Sequence, residues 1–401
     1  MGSRLIDAAT LLMTAAGTML PVPVATAGEA KNAPAFQLVP STFADIPGWR
    51  GDDHGRAFAA FSISCPAVIA AQTAVGAGRD AGDAQLAAIC RQAMARGQRR
   101  VGRSEARVFF ERFFQPFRIV HEGEGLLTGY YEPHIEGSRV ATTRFRIPLY
   151  RRPPNLVNVV AETERARSVP LTHMRRTEQG LVPYPTRTEI EAGALAGQGL
   201  ELIWLADPVD AFFAQVQGSV RVRLTNGSVV GLTYDGKNGH PYSSVGRLLI
   251  DRGVIGAQEM SLDRLGAWLR ADEARGREAM RHNASFAFFR EVGAGAGGSA
   301  LGALGLPLAV GRSLAVDTSF HRLGLPVFVD APDLRHWGRR APFRRLMVAH
   351  DVGSAIRGPQ RGDIYFGSGD KAGARAGITK HRGTFHVLMP RSDRAMPERR
   401  G

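Results

Sequence analysis

The sequence predicts a mainly β protein with helices near its N-terminus, and two observations carry that reading. In the last part of the chain, Leu346 to Ala349, Ile364 to Phe366 and Thr384 to Leu388 are short β-branched or aromatic runs bounded by Gly, Asp and Pro, as strands of a small closed β structure read. Asp351 and Asp363 lie at the ends of such runs beside glycine-rich turns, and Asp317 follows another in SLAVDTSFHRLGLPVFVD. Three aspartates at three strand ends predict one polar spot on a β-barrel.

In chain order, Arg4 precedes a mostly apolar segment, Ala8 to Leu20, and then Ala25-Thr26-Ala27. A positive residue, an apolar core too short to span a bilayer and a small-x-small site read as a secretory signal cleaved after Ala27. Residues 28–45 are Ala/Pro/Thr-rich without periodicity and are expected to be flexible, with folding starting near Phe58. Ala57 to Ala70 and Ala84 to Arg96 have helical spacing. Ser104 is placed to cap a helix whose Phe109, Phe110, Phe113 and Phe114 form a core stripe ending at Pro116.

After Gly125 the pattern changes to strands and turns. Arg221 to Leu224 alternates, Asn226-Gly227 is a two-residue hairpin signal, and Val229 to Thr233 returns. Ser243 and Ser261 each open a helical run, Val245 to Ile250 and Leu262 to Arg270. Gly293 to Gly302 reads as a linker. Glycines 353, 358, 362, 367 and 369 are too dense for ordinary strands and suit tight crossings or close approach of backbone to a ligand.

At 401 residues the chain is long enough for two cores, and its formal net charge of +14 suits an anionic polymer. Zinc-ligand spacing and a helix-turn-helix pattern are absent, and GSGDKAG lacks the Lys-Ser/Thr helix start of a phosphate loop. The basic residues are scattered, so nucleic acid is not the expected partner, and neither a metal nor another cofactor is expected. Cys65 and Cys90 read either as a disulfide, favoured by an oxidising compartment, or as two small buried side chains.

The strings DVGSAIRG, RGDIYFGSG and AGARAG resemble the C-terminal three-aspartate region of the membrane-bound lytic murein transglycosylase A family. LLTGYYEPHIEGSR, DPVDAFFAQVQGSVRVRL, YDGKNGHPYSSVGRLL and NASFAFFRE are similar to further blocks of that family, in its order, so the likeness runs from about Phe109 to Leu388. It implies a double-psi β-barrel with a second β-rich domain inserted, plus N-terminal helices. The expected divisions are 1–27 signal, 28–133 helices and first barrel part, 134–292 insert and 293–401 three-aspartate part, with the substrate groove at the junction.

The implied activity is cleavage of the β-1,4 MurNAc-GlcNAc bond of peptidoglycan glycan strands with formation of 1,6-anhydromuramic acid. One carboxyl suffices, because it can protonate the leaving oxygen and then deprotonate the C6 hydroxyl that attacks the anomeric carbon. The resemblance gives that role to Asp363; Asp351 is also motif-matched and reads as a second acid that helps hold Asp363 protonated, orients it or stabilises the developing cation, or else as a turn aspartate. Asp317 divides between turn capping and the site. Motif matches name Thr128, Gly129, Tyr130, Glu132, Gln215, Gln217, Gly218, Asn238 and Gly239 as substrate-binding, with Val220 altering groove width and His240 a turn histidine. Many relatives carry a lipid on a cysteine at the cleavage site. This chain has none there, so a soluble periplasmic protein without stable membrane insertion is expected, with the cell-wall synthesis machinery as a candidate partner. A hydrolase on the same barrel and a non-catalytic peptidoglycan-binding protein are the alternatives.

Overall fold

A computed structural model of the chain describes residues 36–73, 81–96, 100–159, 171–293, 299–337 and 341–391. The expected signal, 1–27, lies outside the described residues, as do 294–298 of the glycine-rich run.

The described chain begins with β1 (Phe36–Pro40), a 3-10 turn (Trp49–Gly51), α1 (His54–Thr73), α2 (Ala81–Met94), α3 (Arg103–Phe113), β2 (Phe114–His121) and β3 (Leu126–Glu132). A middle region follows: β4 (His134–Ser138), β5 (Ile147–Tyr150), β6 (Leu156–Asn158), β7 (His173–Thr177), β8 (Gly180–Pro183), α4 (Arg187–Glu189), β9 (Glu201–Leu205), α5 (Pro208–Gln217), β10 (Ser219–Leu224), β11 (Val229–Lys237), α6 (Val245–Asp251), α7 (Leu262–Ala271), α8 (Glu273–Arg281) and β12 (Ala287–Val292). The last part holds β13 (Ser313–Val316), β14 (Pro326–Ala331), β15 (Phe343–Val352), β16 (Arg361–Ser368), α9 (Asp370–Gly377), β17 (Lys380–Arg382) and β18 (Thr384–Pro390).

Both ends of the chain build one nine-stranded sheet, in the order β1, β2, β18, β14, β15, β13, β16, β3, β17. Its β13/β15 and β3/β16 pairs are parallel, which requires long connections between strands adjacent in space. Everything from β4 to β12 forms two other sheets, one of six strands and one of three.

The principal core lies between the N-terminal helices and the nine-stranded sheet. The phenylalanine stripe sits there: Phe109, Phe110 and Phe114 are buried, and the Phe61 ring meets those of Phe110 and Phe114 at 5.9 and 5.8 Å. Each such ring contributes about 1.5–3 kcal/mol by leaving water. The helix ends at Phe113 and β2 begins at once. The hairpin at Asn226-Gly227 joins β10 to β11, with Gly227 at φ 84°, where a side chain would be strained.

Three expectations are corrected. Folding begins before Phe58, because β1 pairs antiparallel with β2 and Ile46 and Trp49 are buried. All five β1 residues are exposed on a sheet edge, so they carry no alternation to read. Ser244, rather than Ser243, caps α6 by accepting from Arg247 N, whereas Ser261 does cap α7. Cys65 and Cys90 are free thiols, both buried in the core against each other, which is the second of the two readings.

One buried ion pair ties the N-terminal segment to the sheet. Arg312, just before β13, reaches both carboxylate oxygens of Asp52 at 2.7 and 2.8 Å, and Asp52 also accepts from Leu346 N of β15 at 2.8 Å. Burial alone would raise the Asp52 pKa, but these partners outweigh it and hold the carboxyl below its usual 3.8. A depressed folded pKa gives stability that is complete above 3.8 and lost as pH falls through the lower folded value. Asp52→Asn is therefore expected to cost about 3–5 kcal/mol at neutral pH by stranding Arg312. Denaturant midpoints should show that deficit shrinking in acid, and a variant within experimental error of wild type at neutral pH would contradict it.

Candidate active site

Strand register brings the two expected acids together. Ala315 of β13 is the partner of Asp351 across the parallel β15 and of Asp363 across the antiparallel β16. Asp363 in turn pairs with Thr128 of the parallel β3. Residues paired across strands share a face, so Thr128, Asp363, Ala315 and Asp351 form one row, with the acids two strand spacings, roughly 10 Å, apart at the backbone. Tyr130 pairs with Tyr365 two residues along on that face, their rings 5.3 Å apart.

The row opens onto a cavity of about 710 Å³, lined by Asp351, Asp363 and Tyr130 and, from the middle region, by Gln215, Ser219 and Arg187. Burial raises the Asp363 pKa, against the opposing pull of Arg361 and of the Thr128 hydroxyl, which donates to Asp363 Oδ1 at 2.6 Å. Burial also pushes Asp351 up to about 6, with the Asp363 charge adding to the rise and the bond from Val352 N, at 2.9 Å, opposing it. The Tyr130 hydroxyl lies beside Asp351 without an aligned hydrogen bond, and its own pKa is raised by burial and by that carboxylate. Such a pair of acids can hold a proton at mild pH and deliver it to a bound oxygen. Of the apolar neighbours expected for Asp363, Tyr365 shares the site cluster, whereas Ile364 and Phe366 point into the principal core.

Several motif-matched residues line the cavity: Gly129, Tyr130, Gln215, Gln217 and Gly218. Gln215 Oε1 is buried without a hydrogen-bond partner, while Gln217 Oε1 accepts from Tyr131 N at 3.1 Å. Others hold the fold instead. Asp317 accepts from Ser319 N and Gly358 N, at 3.0 and 2.8 Å, and so braces the loop after Asp351 rather than lining the cavity. Glu132 is buried between Arg221 and Ser368, at 2.6 and 2.7 Å. Asn238 bonds Pro185 O, Ala284 O and Phe286 N, and Gly239, at φ 88°, lies where a Cβ would come 2.2 Å from His173 O. Val220 faces the core of the middle region, not the groove. His240 bonds Tyr184 O at 2.8 Å, a structural role.

Two residues were missed. Arg361 stands two residues before Asp363 on one strand, a spacing that would have placed it on the same face. Arg187 is buried, donates to Asn283 O and Ser285 O at 2.9 and 2.7 Å, and is pushed down to about 10 by that burial. No local pattern marked it. Among the described residues, no group of three or more His, Cys, Asp or Glu is arranged to hold a metal ion.

The MltA specific insert domain matches residues 126–290 and the 3D domain matches residues 312–389. The chain is 34% identical over 271 residues to the membrane-bound lytic murein transglycosylase A of Vibrio cholerae, covering 67% of this chain and 66% of that protein, a little under two thirds of its length. Among solved structures it is similar to a membrane-bound lytic murein transglycosylase from Agrobacterium tumefaciens, at 37% identity and a TM-score of 0.78 over 88% of this chain and 98% of that one. The structure of E. coli MltA with bound chitohexaose is similar at 29% identity and a TM-score of 0.62, over 90% of this chain and 95% of that one.

The raised pKa of Asp351 has a stability consequence of opposite sign to that of Asp52. An acid whose folded value exceeds its unfolded one penalises the fold once ionised, and the penalty grows from pH 3.8 and is complete above about 6. Asp351→Asn should therefore gain thermal stability relative to wild type on going from roughly pH 4 to roughly pH 7.5. Melting temperatures whose difference does not change between these conditions would rule out a half-buried, proton-holding Asp351.

Proposed function

The chain belongs to the membrane-bound lytic murein transglycosylase A family, and on that premise we propose that it cleaves the MurNAc-GlcNAc bond of peptidoglycan with Asp363 as the single general acid/base. The observation that carries this reading is a half-buried carboxyl with a raised pKa facing a cavity large enough for a sugar chain. Protonated Asp363 gives its proton to the glycosidic oxygen as positive charge develops on the muramic ring. The ring's C6 hydroxyl then attacks the anomeric carbon, and the Asp363 carboxylate takes up that hydroxyl's proton. Water is not consumed, and the product is a 1,6-anhydro sugar. Asp351 and Tyr130, on the same face, supply polar groups near the developing cation. Gln215 and Gln217 offer amides to sugar hydroxyl and N-acetyl groups. The related E. coli protein was solved with chitohexaose, an oligosaccharide, which supports a glycan in this groove. The place of action is the periplasm, reached by export on residues 1–27.

Asp363→Asn is expected to lower turnover by about 10²–10⁴-fold or more while leaving binding to purified murein sacculi intact. Mass spectrometry of the released muropeptides decides the reaction class, because anhydro products are lighter by one water than hydrolysis products. Near wild-type release by the variant would remove Asp363 from its role.

Salt should act on capture rather than chemistry. With a formal net charge of +14 against a wall polymer carrying carboxylates, binding to sacculi should weaken as ionic strength rises. Surface attraction is screened beyond roughly 8 Å at physiological salt, whereas contacts inside the groove are shorter. Short neutral glycan fragments should show little salt dependence, and equal sensitivity for both substrates would mean the basic surface does not serve wall capture.

A further inference from the structure

A carboxyl has two oxygens, and an acid that must later act as a base works on one substrate only if its proton leaves from and returns to the oxygen that faces it. The wiring behind Asp363 selects that oxygen. Thr128 Oγ1 donates to Asp363 Oδ1 at 2.6 Å, and the same Thr128 oxygen accepts from Arg361 Nη2 at 2.8 Å. A guanidinium has donors and no acceptor, so the direction of the second bond is not in question. A threonine hydroxyl has one proton, and no acceptor for it other than Asp363 Oδ1 is found among the described residues. Arg361 is itself anchored by its bond to Gly362 O at 2.6 Å.

We propose that Arg361 is a positioning residue: by occupying a lone pair of Thr128 it commits that hydroxyl's proton to Asp363 Oδ1, and so confines the catalytic proton to Oδ2. The same oxygen then donates to the leaving group and accepts from the C6 hydroxyl, with no rotation of the carboxyl between the steps. This rests on the reading of Asp363 as the acid/base. Arg361 also sets when the proton is available, because its charge opposes the rise that burial imposes on Asp363. The other groups facing Asp363 are Tyr130 of β3 and Asp351 of β15. β13 presents Ala315, the exposed Lys380 of β17 lies beyond Thr128 in the same row, and the charged Asp370, Lys371 and Arg375 of α9 are exposed.

The test is a mutant cycle on the full chain, read as kcat, KM and pH profile on murein sacculi. Arg361→Met should lower kcat roughly tenfold with KM little changed, and should move the alkaline limb of the profile to higher pH, since losing the cation lets the Asp363 pKa rise. Arg361→Lys, which keeps the charge, should bring the limb back while restoring only part of kcat. Thr128→Val should lose as much as the Thr128→Val/Arg361→Met double variant, because both residues act through one hydroxyl. Melting temperatures close to wild type would exclude a folding defect as the source. Additive losses in the double variant, an unmoved limb in Arg361→Met, or a loss that falls on KM alone would each overturn the proposal. If wild type released hydrolysis products instead of anhydro-muropeptides, the reading of the reaction would fall separately, and the cycle would still report whether Arg361 acts through Thr128.

Discussion

The register between β3 and β16 is the constraint on which the site depends. Those two strands come from opposite ends of the chain, 235 residues apart at Thr128 and Asp363, yet their parallel pairing sets the hydroxyl against the carboxyl. Side chains alternate across a sheet, so a slip of one residue would turn Asp363 into the core and Ile364 toward the groove. β13 completes the arrangement by pairing with both β15 and β16 through Ala315, whose small side chain separates the acids without filling the space above them.

The chain treats its carboxyls in contrasting ways, and partners decide the difference. Asp52 has a bidentate guanidinium and a backbone N–H, enough to repay its desolvation and keep it ionised. Asp363 has a hydroxyl and an arginine aimed at that hydroxyl rather than at the carboxylate, and burial leaves its pKa raised despite them. The carboxyl proposed as the acid is the incompletely paired one. Glu132, bound to Arg221 and Ser368 at the crossing from barrel to middle region, belongs with Asp52 as a structural carboxylate, although it sits in the same motif as Tyr130.

Much of this was legible in the residues. Strand-end aspartates among glycines pointed to Asp351 and Asp363, and the phenylalanine stripe announced the helix-to-sheet core. Short motifs were less informative about side-chain direction: they grouped Asp317, Glu132, Asn238 and Gly239 with residues that line the cavity, whereas these four are spent on backbone, salt-bridge or steric roles. β1 escaped because an exposed edge strand needs no apolar face. Arg361 was hidden among many scattered arginines, although its period-two spacing from Asp363 was available. Arg187 meets its partners, Asn283 and Ser285, only after the chain has travelled nearly a hundred residues, a relation that no local pattern encodes.

The nine-stranded sheet drawn from both ends of the chain has a consequence for the order in which the molecule is assembled. During vectorial synthesis, β1 can pair with β2 at once, but β2 and β3 cannot find β18, or β16 and β17, their other partners, until nearly the whole polypeptide is available. The middle region has its sheets closed among β4 to β12 and can consolidate first, leaving an unsatisfied barrel edge exposed in the meantime. The row around Asp363 is thus assembled late, because Asp363 acquires Thr128 and Ala315 as neighbours only when β16 joins β3 and β13.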